Sequence, residues 1–455
     1  MTTVQLAQTK LSPLSKRGFM MFAIMAALLA FVGIFQSVTV MLTLLNFCII
    51  SAIMSLGLNT QWGYVGLFNA GVMGSVAVGG VVVVLVTEQP VVPAIQAGGF
   101  EMLLAFVVLG LTIAAIIIAQ RWIKHKLTRN LVIFALMILG YFWLRSYYDR
   151  ATIAIEAINP SAQGFMGGLG LPFWVAWLIA PPVAALVAWL IGKISLGLRQ
   201  DYFAIATLGI SEIIVAIAKN EGWLTRGVNN VVGLDRSPIP SELNLQESPR
   251  FVEFSRSIMG AEAATDGGMM IMSSLVVKLS FTAVFLFVLL LLLYFAVKAL
   301  HSPWGRMMRA MRDNPVAAKA MGKNVLFWQL FTFVLGSSIL GLAGAMMTTL
   351  DGQFTPASYQ PLRFTFLIWV MVIVGGSGNN LGSILGGFLM WFVWLQAEPA
   401  GQFLAQLSSS AFGDEAGLSR WLAENAAHFR YFVIGLVLLL TLRFSPKGIL
   451  PEMPR

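Results

Sequence analysis

The chain has 455 residues, of which 58% are hydrophobic and only 11% charged, with a formal net charge of +9. Ordinary soluble domains carry roughly 25% charged residues, so this composition excludes a soluble globular protein and points to a polytopic membrane protein. The basic balance comes from lysines and arginines scattered over short loops between apolar runs, which fits membrane orientation and not a nucleic-acid surface. One cysteine, Cys48, lies inside an apolar run, so no intramolecular disulfide is possible.

In chain order, Lys10, Lys16 and Arg17 precede an apolar run from Gly18 to Phe35. That run is long for a signal peptide and is read as a first span. Twelve apolar segments follow from the pattern, at about 18–36, 38–58, 63–86, 103–120, 131–144, 169–191, 203–218, 271–297, 328–350, 364–376, 381–397 and 431–442. The third is glycine-rich, and both a spanning and a re-entrant reading stay open for it. The predicted fold is all-α, a polytopic transmembrane helical bundle of about 10–12 membrane segments with a cytoplasmic N-terminus. With that orientation the inner loops hold 18 basic residues against three acids (Asp201, Asp313 and Glu452), and the outer loops hold 10 basic against 16 acidic residues. Such an asymmetry over short loops orients a membrane protein.

Two charges remain inside spans. Lys278 lies near the outer end of its segment and can snorkel to the interface. Glu212 sits mid-segment, where a carboxylate is costly and belongs in a bundle interior or beside a watery pathway. A structural acid and a pathway residue are both consistent with it. Asn59, Gln61 and Asn69 form a polar island among Gly63, Gly66, Gly71 and Gly74. Irregular backbone at membrane depth is tolerated where it packs in protein or lines a cavity, so a tight helix contact and a substrate path are both open. The outer loop at about 219–270 is longer than an ordinary connector, which marks it as a partner-docking segment or a structured cap.

The stretch from Asp313 to Gly322 reads as a complete short helix. Asp313 or Asn314 supplies the cap, Pro315 the first helical position and Gly322 the left-handed end. Upstream, Arg306, Arg309 and Arg312 recur at every third residue, on one helical row. The glycine cluster from Val374 to Ser383 reads as a tight inner turn; its backbone amides could cradle an anion, yet no lysine or arginine is near it in sequence. No phosphate-cradling Gly-x-x-x-x-Gly-Lys-[Ser/Thr] motif occurs, and His125, His301 and His428 are too far apart to suggest a metal site. Neither an enzyme nor a cofactor or metal requirement is expected.

Several blocks carry a family resemblance. They are Leu56 to Asn69, Leu198 to Ile214, Ser302 to Gly322, Gly341 to Ala345, Val374 to Gly378 and the tail from Phe444 to Leu450. In order and spacing these resemble the transmembrane permeases of branched-chain amino acid ABC transporters, the longer M-type of the pair, over roughly 50–85 and 195–450. The resemblance implies one permease domain over 1–455, with a periplasmic loop at about 219–270 and a cytoplasmic coupling segment at about 300–327. It implies location in the bacterial inner membrane beside a second homologous permease, two cytoplasmic ATP-binding subunits and a periplasmic substrate-binding protein. Carried onto this sequence, the ATPase contacts fall on Arg309, Arg312, Asp313, Ala317, Ala318 and Gly322. Asn59, Gln61, Asn69 and Glu212 are placed along the substrate path. Segments near 103–144, 235–270 and 400–428 look like additions to the usual family length. Relatives carrying urea or short-chain amides are an alternative within the family, and a proton-coupled secondary transporter or a membrane scaffold are alternatives outside it.

Overall fold

The structure is a computed structural model, and it describes residues 16–159, 164–259, 266–412 and 417–452. Lys10, Glu262, Asp414, Glu415 and Arg455, which enter the charge count above, lie outside the described residues. Twelve long helices carry the apolar segments: α1 (Lys16–Phe35), α2 (Val38–Val65), α3 (Val72–Thr87), α4 (Val92–Trp122), α5 (Lys126–Glu156), α6 (Phe173–Ser195), α7 (Gln200–Asn220) and α8 (Asp266–His301). After two short helices, α9 (Pro303–Asp313) and α10 (Pro315–Ala320), come α11 (Val325–Asp351), α12 (Pro361–Gly375), α13 (Asn380–Phe412) and α14 (Phe429–Phe444). Among the described residues ten regions are long and apolar enough to cross a membrane, the last being Arg420–Phe444, which takes in α14; α3 and α12 are shorter apolar helices. The protein is an all-α, multi-pass membrane protein.

The centre of the bundle is α2, with α11, α13, α8 and α1 packed against it and α3 wedged between α6 and α11. With little hydrophobic drive between helices in lipid, close packing decides which pairs form. A close approach joins α3 to α11: a Cβ on Gly79 would fall on the Gly341 carbonyl, and one on Gly344 would fall on the Val76 carbonyl. Hydroxyls join α2 to α13, Ser51 donating to the Gly387 carbonyl at 2.9 Å and Ser55 to the Ser383 carbonyl at 2.7 Å.

The helix α2 runs to Val65, so its end takes in the first residues of the segment expected at 63–86. Gly66, at φ 76°, stops it, and its N–H bonds the Trp62 carbonyl at 2.8 Å. A turn over 66–71 follows before α3 begins. At its far end, α3 meets the strand-like stretch before α6, where the Leu171 N–H donates to the Val86 carbonyl at 2.8 Å. The helix, 16 residues long, thus runs from the 66–71 turn to the stretch before α6 and is shorter than the membrane-length helices.

Helices α4 and α5 form a hairpin whose main packing partner is itself. Its join to the bundle is at one end, where Tyr148 on α5 donates to the Glu221 carboxylate and the Trp223 indole donates to the same carboxylate at 2.9 Å. The helix α5 outlasts the apolar run at 131–144 because its next turns supply their own partners: Arg145 pairs with Asp149 at 2.8 Å, one turn on. The segment after α7 is folded, with strand β1 (Val231–Val232) pairing antiparallel with β2 (Gln353–Phe354) just after α11, and short helices at Glu242–Glu247 and Pro249–Met259.

Candidate functional site

The basic face of the bundle gathers four sequence-distant pieces: the helices α9 and α10, the 66–71 turn, the glycine-rich turn between α12 and α13, and the tail after α14. Local chemistry shapes α9 and α10. Pro303 stands at the start of α9, and Pro315 at the start of α10. Of the two residues expected to cap α10, Asn314 does so, accepting from the Ala317 N–H at 3.0 Å, while Asp313 is exposed and paired with Arg312 at 3.2 Å. Gly322 follows the helix at φ 74°.

The apolar side of α9 carries Met308 and Met311, both buried, against Tyr64 and Val65 of α2, Phe203 of α7 and Phe333 of α11. Ala318 of α10 joins the same cluster. The rest of α10 faces away: Val316 is 77% exposed, Met321 just beyond it is 80% exposed, and Ala317 is exposed as well. Along the arginine row, Arg306 is exposed, whereas Arg309 and Arg312 turn toward the Glu452 carboxylate at 3.6 and 2.9 Å. Arg312 also donates to the Gly63 carbonyl of α2. The six residues expected to contact an ATPase are thus divided. Ala317, Asp313 and Gly322 lie on the outside of the segment, and Arg309, Arg312 and Ala318 secure it to the bundle.

The polar island occupies the α2–α3 junction directly above. Asn59, Gln61 and Asn69 are buried, and each is bonded. Asn59 accepts from the Gly378 N–H at 2.8 Å and donates to Asn380 at 3.1 Å. Gln61 donates to the Phe333 carbonyl at 2.9 Å and to Ser337 at 3.0 Å, and accepts from Asn69 at 2.8 Å. The Asn69 carbonyl in turn receives the Trp369 indole N–H at 2.9 Å. Four helices (α2, α11, α12 and α13) and two turns are joined through these residues. Replacing Gln61 by leucine strands the Asn69 amide and the Ser337 hydroxyl without the partner each has now. A loss of about 1–3 kcal/mol is expected, the cost of buried polar groups left unmade. Thermal unfolding of the purified variant in detergent checks it, and an unshifted midpoint would contradict it.

What opens beside the island is a cleft of about 690 Å³, walled by Trp62, Phe68, Gln200, Phe203, Arg312 and Glu452 among others. It sits at the first turn of α7. A second cleft, about 670 Å³, opens at the other end of the same helix, and Glu212 lines it with Lys219, Tyr359, Gln360 and Arg363. Glu212 is exposed on α7, on a face that also shows Tyr202, Ile205, Ile213 and Ile217. Arg363 is held by aromatic faces, its guanidinium carbon 4.6 Å from the Trp394 ring and 5.3 Å from that of Tyr431. Thus α7 has a cleft at each end, and Glu212 belongs to its exposed face and to the outer cleft, whereas the three amides are turned into the bundle. Sequence reasoning missed Glu452, Arg363 and Asn380. Glu452 figured only in the charge count, as one of three acids on the inner side, two residues past the tail block that ends at Leu450.

Comparison with known proteins agrees with this architecture. A family model described as the permease component of branched-chain amino acid transport systems matches residues 130–442. The high-affinity branched-chain amino acid transport system permease protein LivM of Escherichia coli is 27% identical over 290 residues, which is 62% of this chain and 58% of that protein. The probable branched-chain amino acid transport permease protein LivM of Methanocaldococcus jannaschii is 24% identical over 324 residues, covering 70% of this chain and 80% of the relative. The probable permease LivH of the same archaeon matches at 28% identity over 103 residues, 23% of this chain and 32% of that protein. No solved structure matches. The block at 50–85 lies outside the residues that the family model matches; the matched range contains α6 through most of α14 and the whole lining of the outer α7 cleft, whereas Trp62, Phe68 and Glu452 of the inner cleft fall outside it. The chain belongs to the family of permease components of branched-chain amino acid transport systems.

Proposed function

We propose that this chain is the membrane-spanning subunit of an ABC importer that takes branched-chain or related amino acids from a periplasmic binding protein across the bacterial inner membrane. In this reading the chain is one permease unit over 1–455, with its outer segment at 219–270 toward the binding protein and its coupling segment at 300–327 toward the cytoplasm. Two separate ATP-binding subunits hydrolyse ATP, and a second homologous permease covers the exposed face of α7. The orientation rests on the charge asymmetry of the loops.

The observation that carries the reading is the build of α10. A capped helix on the basic face, with Val316, Ala317 and Met321 turned outward and Ala318 anchored inward, presents an apolar docking knob to a protein outside the bilayer. Its fixing to α2, α7 and α11 through α9 lets a push on the knob reach the spans. The outer cleft favours an amino acid over urea or an amide as cargo: Glu212 and the cations Lys219 and Arg363 offer both signs of charge to a zwitterion.

Affinity co-purification in mild detergent tests this with Ala317→Arg, a change at an exposed position that leaves the Ala318 anchor in place. The wild type is expected to bring down two ATPase copies and a second permease, and the variant to lose the ATPases and keep the permease. Retention of the ATPases by the variant, or a chain that purifies alone and still moves substrate in liposomes, would refute the coupling role.

A further inference from the structure

The tail after α14 does not trail into solvent. Its Ile449 and Leu450 N–H groups donate to the Val374 and Gly375 carbonyls, each at 2.9 Å, satisfying carbonyls that the end of α12 leaves free. Asn379 closes the arrangement by donating to the Leu450 carbonyl at 3.1 Å. This lays Glu452 over the α12–α13 turn, beside Gly378. Gly378 has φ 83°, which suits glycine, and its missing side chain also leaves space: a Cβ there would stand 2.6 Å from the Glu452 carboxylate and 3.0 Å from the Arg312 guanidinium. The anion beside the glycine turn is therefore the chain's own carboxylate, and the cation absent from the local sequence arrives from α9.

We infer that Glu452 is a positioning residue for energy coupling: with Arg309 and Arg312 it clamps α9 at once to the end of α2 and to the α12–α13 turn. This rests on the reading of 300–327 as the coupling segment. A single exposed ion pair would contribute little. Here one carboxylate holds two arginines, each with about a quarter or less of its side chain exposed. Arg312 extends the link to the Gly63 carbonyl, in the last turn of α2, and Asn59, one turn earlier, accepts from the Gly378 N–H. A displacement of α9 is then delivered to α2 and to α12–α13 together. Without the carboxylate the two arginines lose their shared anchor, and α9 keeps only the Arg312 bond to the Gly63 carbonyl and its methionine contacts, which allow sliding because methionine packs adaptably.

The test uses the full assembly in proteoliposomes, reading substrate moved per ATP hydrolysed for wild type, Glu452→Gln, Glu452→Asp and Arg309→Gln. Glu452→Gln is expected to lower the ratio by about fivefold or more, the lower end of ordinary coupling between sites, while the ATPases still co-purify. Glu452→Asp and Arg309→Gln, which each spare part of the clamp, fall between. An unchanged ratio in Glu452→Gln overturns the inference. Should that variant fail to assemble, unchanged ratios in the other two overturn it equally. Failure of the underlying reading shows separately, as ATPases retained by Ala317→Arg.

Discussion

Gly344→Val is expected to leave no monodisperse protein in detergent, and Gly79→Leu to do the same. At both positions the added side chain meets backbone on the facing helix: the Val76 carbonyl from Gly344, and the Gly341 carbonyl with the Ala345 N–H from Gly79. A flexible side chain could swing away; a helix carbonyl cannot move without the helix. Overpacking ordinarily costs about 1–3 kcal/mol, and collision with backbone at the centre of a crossing belongs at or above the top of that range. The loss would reach further than one contact, since α11 also packs on α6 and α2. Gly110→Ala on α4 is the matched control, because nothing lies within 4 Å of a Cβ there. It should be neutral or gain a few tenths of a kcal/mol or more from helix propensity. Size-exclusion profiles and thermal midpoints of the three variants decide the point. A Gly344→Val protein as stable as Gly110→Ala would mean that the α3–α11 crossing is looser than its carbonyl contacts imply.

The spans were legible because lipid imposes a simple rule, an apolar run of bilayer length, and every such run in the sequence became a helix. The edges followed less simply. Nothing local says that α2 continues through Asn59 and Gln61: amides in a span suggest a break, and the helix persists because Asn380, Ser337 and Asn69 meet them from elsewhere. The cap on α10 was readable, since Asn314, Pro315 and Gly322 act within a few residues of themselves. The clamp was not. Arg312 and Glu452 are 140 positions apart in the chain, and the turn that joins them looked bare of cations because only neighbours in sequence could be seen. Glu212 was visible as a misplaced charge, but its direction was not. A helix wheel shows which residues share a face; only the packing of α7 on α3 and α12 shows which face is left uncovered.

Glu212→Leu is the variant in which that direction matters most. An ionised carboxylate at the centre of a span costs about 2.5–3.5 kcal/mol on insertion scales. Glu212 stands mid-helix on the exposed face of α7. If lipid covered that face, the substitution would relieve the cost and leave transport alone. If the second permease and a watery path cover it, as proposed here, leucine removes the one acid that lines the outer cleft with Lys219 and Arg363. Uptake by the reconstituted assembly is then expected to fall by about tenfold or more, the equivalent of ~1.4 kcal/mol in the transport barrier, with both permeases and the ATPases still co-purifying. Glu212→Gln keeps hydrogen bonding without the charge and should fall between. A proton-coupled carrier built on Glu212 would instead lose its dependence on the proton gradient in Glu212→Gln and need no ATP. Measuring uptake with ATP and proton gradient varied independently therefore separates three outcomes. ATP-dependent uptake reduced in both variants supports a pathway carboxylate. Wild-type uptake in Glu212→Leu places the residue outside the path. Gradient-driven uptake without ATP removes the chain from energy coupling by partner subunits.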